Sequence, residues 1–575
     1  MKRIYYIIAI AIVVILLSAY LFTRFSFLKT KDPKPAVSKS ESPLDLRPLI
    51  IEKLQELVKQ GSDGLYNLSI QDLQPDILNS TLNITNATFI TDSAALKKLD
   101  SLKKAPDDLF NFSFQHLRIT GINIDDIVHR DRIDVDSIFI TRPVIRVYHD
   151  PRPYNQRQRE RDSSLTLYKK LQTGLKHMAI KNIAIEAGSL IHTNAAQDNR
   201  VQRFNDISLH VHDLLFDSTT EYDKSRFLFS KEVLLSCKNY LARTPDSLYL
   251  FKVASISVDA VRHTMTGRQV ALLPRKNFEK KVKYMENRFK IQFPKVVFNN
   301  IDWWALINNE SFTSENADLY DVHAENFVDR SKPLNPNMRQ DNFPHQLLMR
   351  VPMNVNIAKL SVHNASIAYE EYEPEIARSA KVSFDNINGV LRNVTNISSS
   401  IQKNGFASFD GSSLFMHSVP LSAHFKFNLA KPKTGDFSVS MQMGTLNRTI
   451  VNSFAEPMGM FSFKSGELQH ASGSAQGNNT SSTANMELLY KDLHITPLKR
   501  DKDDTTSLKK KTVTSFIANA FFIKDANPSK GEDVRRPTVT IQRDHYDGFF
   551  RFVWKSMLAG ILKTIGVPQK YMKQS

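Results

Sequence analysis

The chain is poor in the residues around which metal centres and phosphate-handling enzymes are built. Among 575 residues there is one cysteine, Cys237, and there are 19 glycines. A lone cysteine excludes an internal disulfide and any multi-cysteine metal site, fits a reducing or an oxidising compartment equally, and reads as a small buried apolar residue. Scarce glycine argues against phosphate-cradling loops, and the sequence carries no Walker loop, dinucleotide glycine fingerprint, G-x-S-x-G elbow, H-E-x-x-H or C-x-x-C. His210 and His212, spaced to share one face of a strand, are the nearest approach to a metal-ligand pair, and no third ligand accompanies them. The acidic run Glu370-Glu371-Tyr372-Glu373-Pro374-Glu375 reads as a solvated hairpin tip rather than as paired carboxylates for acid–base or calcium chemistry. The expectation is a protein that is not an enzyme and holds no metal or cofactor.

What is present is a folded composition with an excess of positive charge. Hydrophobic residues make up 41% and charged residues 23%, as in globular rather than disordered chains. Lys and Arg number 76 against 59 Asp and Glu, a formal charge of +17 that suits anionic partners. Basic runs at Arg152 to Arg161, around Arg275 to Lys283 and at Lys509-Lys510-Lys511 have few interleaved aromatics. They read as solvated loops or as contacts with anionic lipid, and nucleic acid is not an expected partner. After Lys2 and Arg3, the stretch Ile4 to Thr23 has no charge. At about 1.5 Å per residue it matches a bilayer core of about 30 Å, which predicts a transmembrane anchor over 1–24 with the bulk of the chain on the non-cytoplasmic side. The alternative is a cleaved signal peptide, since Leu17-Ser18-Ala19 loosely resembles a cleavage site, although Leu17 is large for it. Residues 25–45, rich in Lys, Pro and Ser, read as a linker.

Beyond the linker the spacing predicts a short helix, with Ile50, Leu54, Leu57 and Val58 on one face and Gly61 as its stop. From Tyr66 onward the dominant period is two. Leu68-Ser-Ile70, Leu82-Asn-Ile84, Phe112-Ser-Phe114, Ile133-Asp-Val135, Val144 to Val147, Ile207 to Val211, Phe425-Lys-Phe427 and Phe437 to Met443 are strand candidates between Asn, Asp, Gly and Pro turns. Helical spacing returns only at Ser164 to Met178 and in a basic spacer over 275–292. One pattern recurs: apolar residues at positions 0, 3, 5 and 10, with an apolar or ring residue at 12. Ile180, Ile183, Ile185, Leu190 and His192 fit it, as do Ile357, Leu360, Val362, Ile367 and Tyr369, and Val135, Ile138, Ile140, Ile145 and Val147. The first two copies are followed by Phe204-Asn-Asp-Ile207 and Phe384-Asp-Asn-Ile387. Each copy reads as a two-faced hairpin: a strand, a polar turn and a second short strand. At the end of the chain, Tyr546 to Ile565 traces an apolar stripe with Arg551, Lys555 and Lys563 off it. That is a basic amphipathic helix, suited to a membrane surface or to plugging the end of a sheet core.

The expected architecture is therefore mainly β: an N-terminal transmembrane helix, then a long antiparallel β structure whose apolar face a second sheet, covering helices or an open groove would complete, a few short helices and a C-terminal amphipathic helix. The divisions are 1–24 anchor, 25–45 linker, 46–274 first β region, 275–292 helical spacer, 293–515 second β region and 516–575 final strand and helix. Clean alternation leaves one face of many strands apolar and in need of a cover.

Several segments together resemble the AsmA-like proteins of Gram-negative envelopes, in the version associated with Bacteroidetes. They are the anchor with the short helix and β segments behind it; Val296-Val-Phe-Asn-Asn-Ile-Asp302 through Ala317-Asp-Leu-Tyr-Asp321 to Asp329-Arg-Ser-Lys-Pro333 and Arg350 to Ile357; Ser465-Gly-Glu-Leu468 leading to Asn485 through Leu493; and the Phe550 to Gly566 helix. The resemblance implies a single-pass inner-membrane protein with its bulk in the periplasm, whose elongated, curled antiparallel β-sheet forms an open hydrophobic groove that holds phospholipid acyl chains and supports lipid transport or outer-membrane homeostasis. It supplies no catalytic residues. On this reading Val355, Ile357, Leu360, Val362, Phe425, Phe427, Val439 and Met441 line the groove, while Arg551, Trp554, Lys555 and Lys563 meet a membrane surface. Partners would be phospholipids, the inner membrane through the N-terminal helix, and outer-membrane or envelope proteins. Two rivals stay open: a non-enzymatic assembly or scaffold factor for outer-membrane proteins, built as a dry closed sandwich, and an enzyme with a polar pocket.

Overall fold

The computed structural model describes residues 47–567, apart from 77, 122–131, 156–176, 196–199, 224, 245, 310, 337–340, 375–376, 460, 501–507, 511–522 and 545. The predicted anchor and linker, and residues 164–176 of the expected helix, lie outside the described residues. No helix among the described residues is long and apolar enough to cross a membrane. Contacts divide the fold into two units. One takes the described residues up to Ala242 with Val253–Gly267 and Trp303–Glu310; the other takes Arg243–Lys252, Arg268–Asp302 and the described residues from Ser311 on.

The first unit opens with α1 (Arg47–Gly61), whose Leu54 and Val58 are buried as its spacing predicts. There follow β1 (Tyr66–Asp76), β2 (Thr81–Thr91), α2 (Ser93–Ser101), β3 (Asp108–Thr120), β4 (Arg132–Thr141), β5 (Val144–His149), β6 (His177–Asn194), β7 (Arg200–Phe216) and β8 (Ser230–Arg243). Asp92 starts α2: its Oδ1 accepts from the amides of Ala94 and Ala95, both at 2.9 Å, satisfying donors that have no partner within the helix. β1, β2 and β3 pair antiparallel in order. β3 is long enough to take two short strands laid end to end, β4 along its Thr120 half and β5 along its Asp108 half. Both short strands then run parallel to β6, which pairs antiparallel with β7, and β7 with β8. Cys237, on β8, is half-buried, and burial pushes its thiol up.

After β9 (Tyr249–Asp259), β10 (Thr264–Pro274) and α3 (Phe278–Lys281), the second unit repeats this wiring. β11 (Asn287–Ile301) pairs antiparallel with β12 (Ser311–Tyr320) and β13 (His323–Asp329), again laid end to end. Both run parallel to β14 (Asn354–Glu373), which pairs antiparallel with β15 (Arg378–Thr395). Antiparallel neighbours continue through β16 (Phe406–Phe415), β17 (Val419–Asn428), β18 (Phe437–Met443), β19 (Phe461–Gly477) and β20 (Ser481–Arg500). Among the later strands, β21 (Leu508–Lys510) and β22 (Thr538–Gln542) both pair with β20. The helices are α4 (Trp303–Asn309), which falls in the first unit where the Trp303 indole donates to the Ala260 carbonyl at 2.9 Å, then α5 (Pro344–Leu348), α6 (Ser398–Lys403), α7 (Arg448–Gly459) and α8 (Phe549–Thr564). The fold is mainly β as expected, but its sheets are mixed rather than antiparallel. The 275–292 spacer is also corrected: its helix is the single turn Phe278–Lys281, and β11 has begun by Asn287.

The wiring matches residue by residue. Between the paired short strands sit Arg142 (φ 49°) and Asp321 (φ 53°), both left-handed. The long parallel strands turn left-handed at Ala187 (φ 52°) and Asn364 (φ 55°), and their neighbours at Asp206 (φ 49°) and Asn386 (φ 50°), then at Asp213 (φ 52°) and Asn393 (φ 58°). The Arg142 amide donates to the Glu186 carbonyl at 2.8 Å and the Asp321 amide to that of His363 at 2.9 Å. A non-glycine residue in this region costs on the order of 1 kcal/mol, so its recurrence at paired sites is a built feature. Asn and Asp lower the cost by bonding across the crease: Asn364 Nδ2 donates to Asp321 Oδ1 at 2.7 Å, Asn300 Nδ2 to Glu315 Oε2 at 2.7 Å, and Asn86 Nδ2 to Gln71 Oε1 at 2.7 Å.

These creases explain the recurring pattern and overturn its reading as a hairpin. Residues 180–192 and 357–369 each belong to one continuous strand, β6 or β14. At each crease the in–out alternation slips by one residue. Ile180 is buried, Lys181 and Asn182 are exposed, Ile183 and Ile185 are buried, Glu186 and Ala187 are exposed, and Gly188 and Leu190 are buried. The partner strand slips equally, so Ile180 opposite Leu214, Ile185 opposite Leu209 and Leu190 opposite Phe204 all stay paired. The third copy is the parallel neighbour in register: Val135, Ile138, Ile140, Ile145 and Val147 face Ile180, Ile183, Ile185, Leu190 and His192 one for one.

Candidate functional site

Direct cross-strand neighbours share a sheet face, so register alone assembles an apolar surface in the second unit. Phe298, Ala317, Leu360, Leu391, Phe409, Phe425, Val439, Ala475 and Ala484 lie opposite one another from β11 to β20. A second row beside it runs through Val296, Leu319, Val362, Gly389, Gly411, Ala423, Met441, Gly473 and Met486. At about 4.8 Å per strand the rows are on the order of 40 Å long. Five predicted lining residues thus come together, Leu360, Phe425 and Val439 on one row and Val362 and Met441 on the next. Ile357 and Val355 lie past the crease at Asn393, opposite Ser314 and Phe312, and Phe427 lies between Ala407 and Phe437. Where Gly389 meets Gly411 the floor is hollow, and the Phe409 ring fills it. A Cβ at those glycines would come within 2.6 and 2.5 Å of that ring.

The two ends of the surface differ in cover. From β17 onward the chain itself covers it, with Val439, Ala475, Ala484 and Met486 buried and Phe425 and Met441 half-buried. The Phe549 ring stands 6.2 Å from Phe425, 5.3 Å from Phe427 and 5.0 Å from Phe437, while Phe552, Val553 and Met557 continue the buried face of α8. Gly560 lets the helix reach the sheet, since a Cβ there would lie 2.6 Å from Met486 Cβ. α7 adds Phe454, 5.7 Å from Phe415 and 6.2 Å from Trp554. Phe427 and Val439, at 9% and 2% exposure, are therefore core residues, with Phe425 and Met441 packed against the same core. Over β11 to β16 the cover is uneven: Ala317 and Val296 are buried, Phe298, Leu360, Leu391 and Phe409 are half-buried, and Ile367, on β14 beyond the crease at Asn364 and opposite Phe384, is 42% exposed. The matching positions of β6, Ile180, Ile183, Ile185 and Leu190, are 1%, 3%, 6% and 4% exposed. The same pattern on the same wiring is closed in one unit and partly open in the other.

The four predicted membrane-surface residues face their own chain. Arg551 pairs with Glu371 at 3.2 Å and Asp547 at 3.0 Å, Lys555 pairs with Asp547 at 3.1 Å, Lys563 Nζ donates to the Thr538 carbonyl at 3.0 Å, and Trp554 packs on Phe454. In the structure the helix lies as a cover on this end of the sheet surface, with Phe550 68% exposed. Glu371, expected at a solvated tip, is buried. It accepts from the Tyr369 hydroxyl at 2.6 Å and pairs with Arg330 at 3.2 Å as well as with Arg551. Burial, and then Glu371, push the Tyr369 hydroxyl up. Burial alone would lower Arg551, but Glu371, Tyr369 and Asp547 outweigh it and hold the guanidinium more basic than usual. Beneath α8, His345 is 3% exposed between Phe343 and Phe427, neither ring nitrogen has a hydrogen-bond partner, and burial pushes its pKa down to about 4 against Asp436. Arg543 lies over the Phe343 ring at 4.3 Å and donates to the Asp547 carbonyl at 2.7 Å.

Sequence reasoning missed the Glu371 cluster and His345. The signal for Glu371 was strand phase: it follows Ile367 and Tyr369 at even spacing, so it belongs to their face. His212 Nδ1 donates to Asn182 Oδ1 at 3.0 Å, and among the described residues no three potential ligands converge as a metal site. No protein-family model matches the chain, and no curated protein matches it.

Proposed function

We propose that the chain is an AsmA-like, membrane-anchored periplasmic protein that holds phospholipid acyl chains on the apolar rows of β11 to β16 and supports lipid transport or outer-membrane homeostasis. One observation carries this reading: on β14 Leu360 and Val362 are half-buried and Ile367 is 42% exposed, where the matching Ile183, Ile185 and Leu190 of β6 are buried. Apolar surface left at a repeated, conformationally costly structure suits a guest. A fully buried methylene is worth about 0.8 kcal/mol relative to water, and a chain resting on one side gains a fraction of that; since the bilayer offers the same kind of burial, exchange between bilayer and rows is close to balanced and the chain can move on. Head groups stay in water at the open side, where the excess of Lys and Arg favours phosphate. The mechanism is passive and uses no catalytic group.

Lipid extraction of the full chain purified in mild detergent, followed by mass spectrometry, tests this. Phospholipid should co-purify with the protein and fall severalfold in Leu360→Asp and Ile367→Asp. Lipid-free wild-type protein, or equal lipid in the variants, would refute it. The filled core under α8 favours a second reading, an assembly scaffold for outer-membrane proteins, which predicts a lipid-free preparation.

A further inference from the structure

We propose that α8 is a displaceable plug: it occupies with Phe549, Phe552 and Met557 the continuation of the rows that an acyl guest would use, and the Arg551–Glu371 pair that ties it to β14 is its latch. The proposal rests on the acyl-chain reading and adds how the groove is regulated. The rows pass without a break from Leu391, Phe409 and Phe425, all half-buried, to Val439, buried, so a guest extending along them meets Phe549, 6.2 Å from Phe425. Nothing in the sheet ends there; only the cover changes.

The fastening of the helix is polar at both ends. At its start Arg551 pairs with Glu371 of β14 at 3.2 Å, while Asp547, two residues before the helix, draws Arg551 and Lys555 together; at its finish Arg535 Nε donates to the Thr564 carbonyl at 3.1 Å. Buried ion pairs fix position more than they add net stability, because desolvation offsets much of their attraction, and this suits a latch better than a permanent seal. The matching residue to Glu371 in the first unit is Asn194, also buried but uncharged. The strand wiring therefore does not require a carboxylate there. The charge answers to Arg551 and Arg330, and Arg551 belongs to the helix.

The test uses the full chain, oleate and cis-parinaric acid as probes, and the variant Arg551→Gln. Hydrogen exchange of the α8 amides should speed up on the order of tenfold when oleate saturates the wild type, as a guest competing for the helix site requires. Arg551→Gln should bind about twice as much parinarate per chain, because freeing β17 to β20 roughly doubles the length of the rows. Oleate binding with unchanged α8 exchange and equal parinarate stoichiometry would overturn the plug and leave the acyl reading standing. Absence of binding to either protein would sink both. Should Arg551→Gln fail to fold, the wild-type exchange measurement decides alone.

Discussion

Gly560→Ala puts the docking of α8 to a test whose sign is opposite to the usual expectation. In an exposed helix interior the change stabilises by about 1 kcal/mol through backbone entropy. Here the new methyl group would lie 2.6 Å from Met486 Cβ and 3.4 Å from Met486 Cγ. Cβ is not the far end of a flexible side chain, so α8 must back away from β20, loosening Phe552 and Met557, which are 0% and 2% exposed. Overpacking of this kind costs roughly 1–3 kcal/mol, which offsets or exceeds the propensity gain. The net expectation is destabilisation of up to about 2 kcal/mol. It would be read as a lower urea midpoint by circular dichroism together with faster exchange of α8 amides. The control is Met486→Gly, which removes the opposing Cβ; in that background Gly560→Ala should reverse sign and stabilise by about 1 kcal/mol. If Gly560→Ala stabilises the wild-type chain outright, the close contact between α8 and β20 is not real and the cover over Val439 and Met441 must be redrawn.

Three further outcomes follow from the same geometry. Replacing His345 with Phe removes two unpartnered ring nitrogens from an aromatic pocket and should stabilise by about 1 kcal/mol in urea unfolding; destabilisation would show a partner for the imidazole. Because the folded pKa of His345 is about 4 against an ordinary 6.5, the unfolded chain binds the proton first. Stability should thus fall as pH drops from 6.5 towards 4, and that part of the pH dependence should vanish in His345→Phe. At the creases, Ala187→Gly should stabilise by about 1 kcal/mol because alanine pays for a left-handed backbone, whereas Asn364→Ala should cost about 1–2 kcal/mol by adding that strain and losing the bond to Asp321. Equal effects at the two sites would contradict the structural repeat.

Much of this fold is legible in local spacing, because period two survives wherever a strand has one buried face. Leu82-Asn-Ile84, Phe112-Ser-Phe114 and Phe437 to Met443 fall in β2, β3 and β18 as read. The repeat at Ile180 and Ile357 is real, yet its meaning was misjudged. A three-residue step between apolar positions looks like a turn, while at a crease, whose left-handed residue here sits on the neighbouring strand (Asp213 opposite Lys181, Asn393 opposite Ala358), one strand makes the same step without reversing. Parallel pairing of β4 and β5 with β6 is invisible locally, since a strand's own alternation is the same whichever way its neighbour runs. The stripe on α8 shows that the helix has an apolar face but not what it lies on. Register supplied that, by carrying Phe425 and Val439 to Phe549. Glu371 was misread because a run of acids resembles a solvated tip until strand phase assigns one of them to the inside.

The shared creases tie the strands to a common count. Deleting one residue of β6 between Ile180 and Ile185 would turn every side chain beyond the cut to the opposite face, while β4 and β7 kept theirs. The ladder could be restored only by matching deletions in both neighbours, then in theirs. Length changes within these strands are therefore collective, and single-residue insertions and deletions should be tolerated only in the connections between strands, whereas substitutions can accumulate position by position.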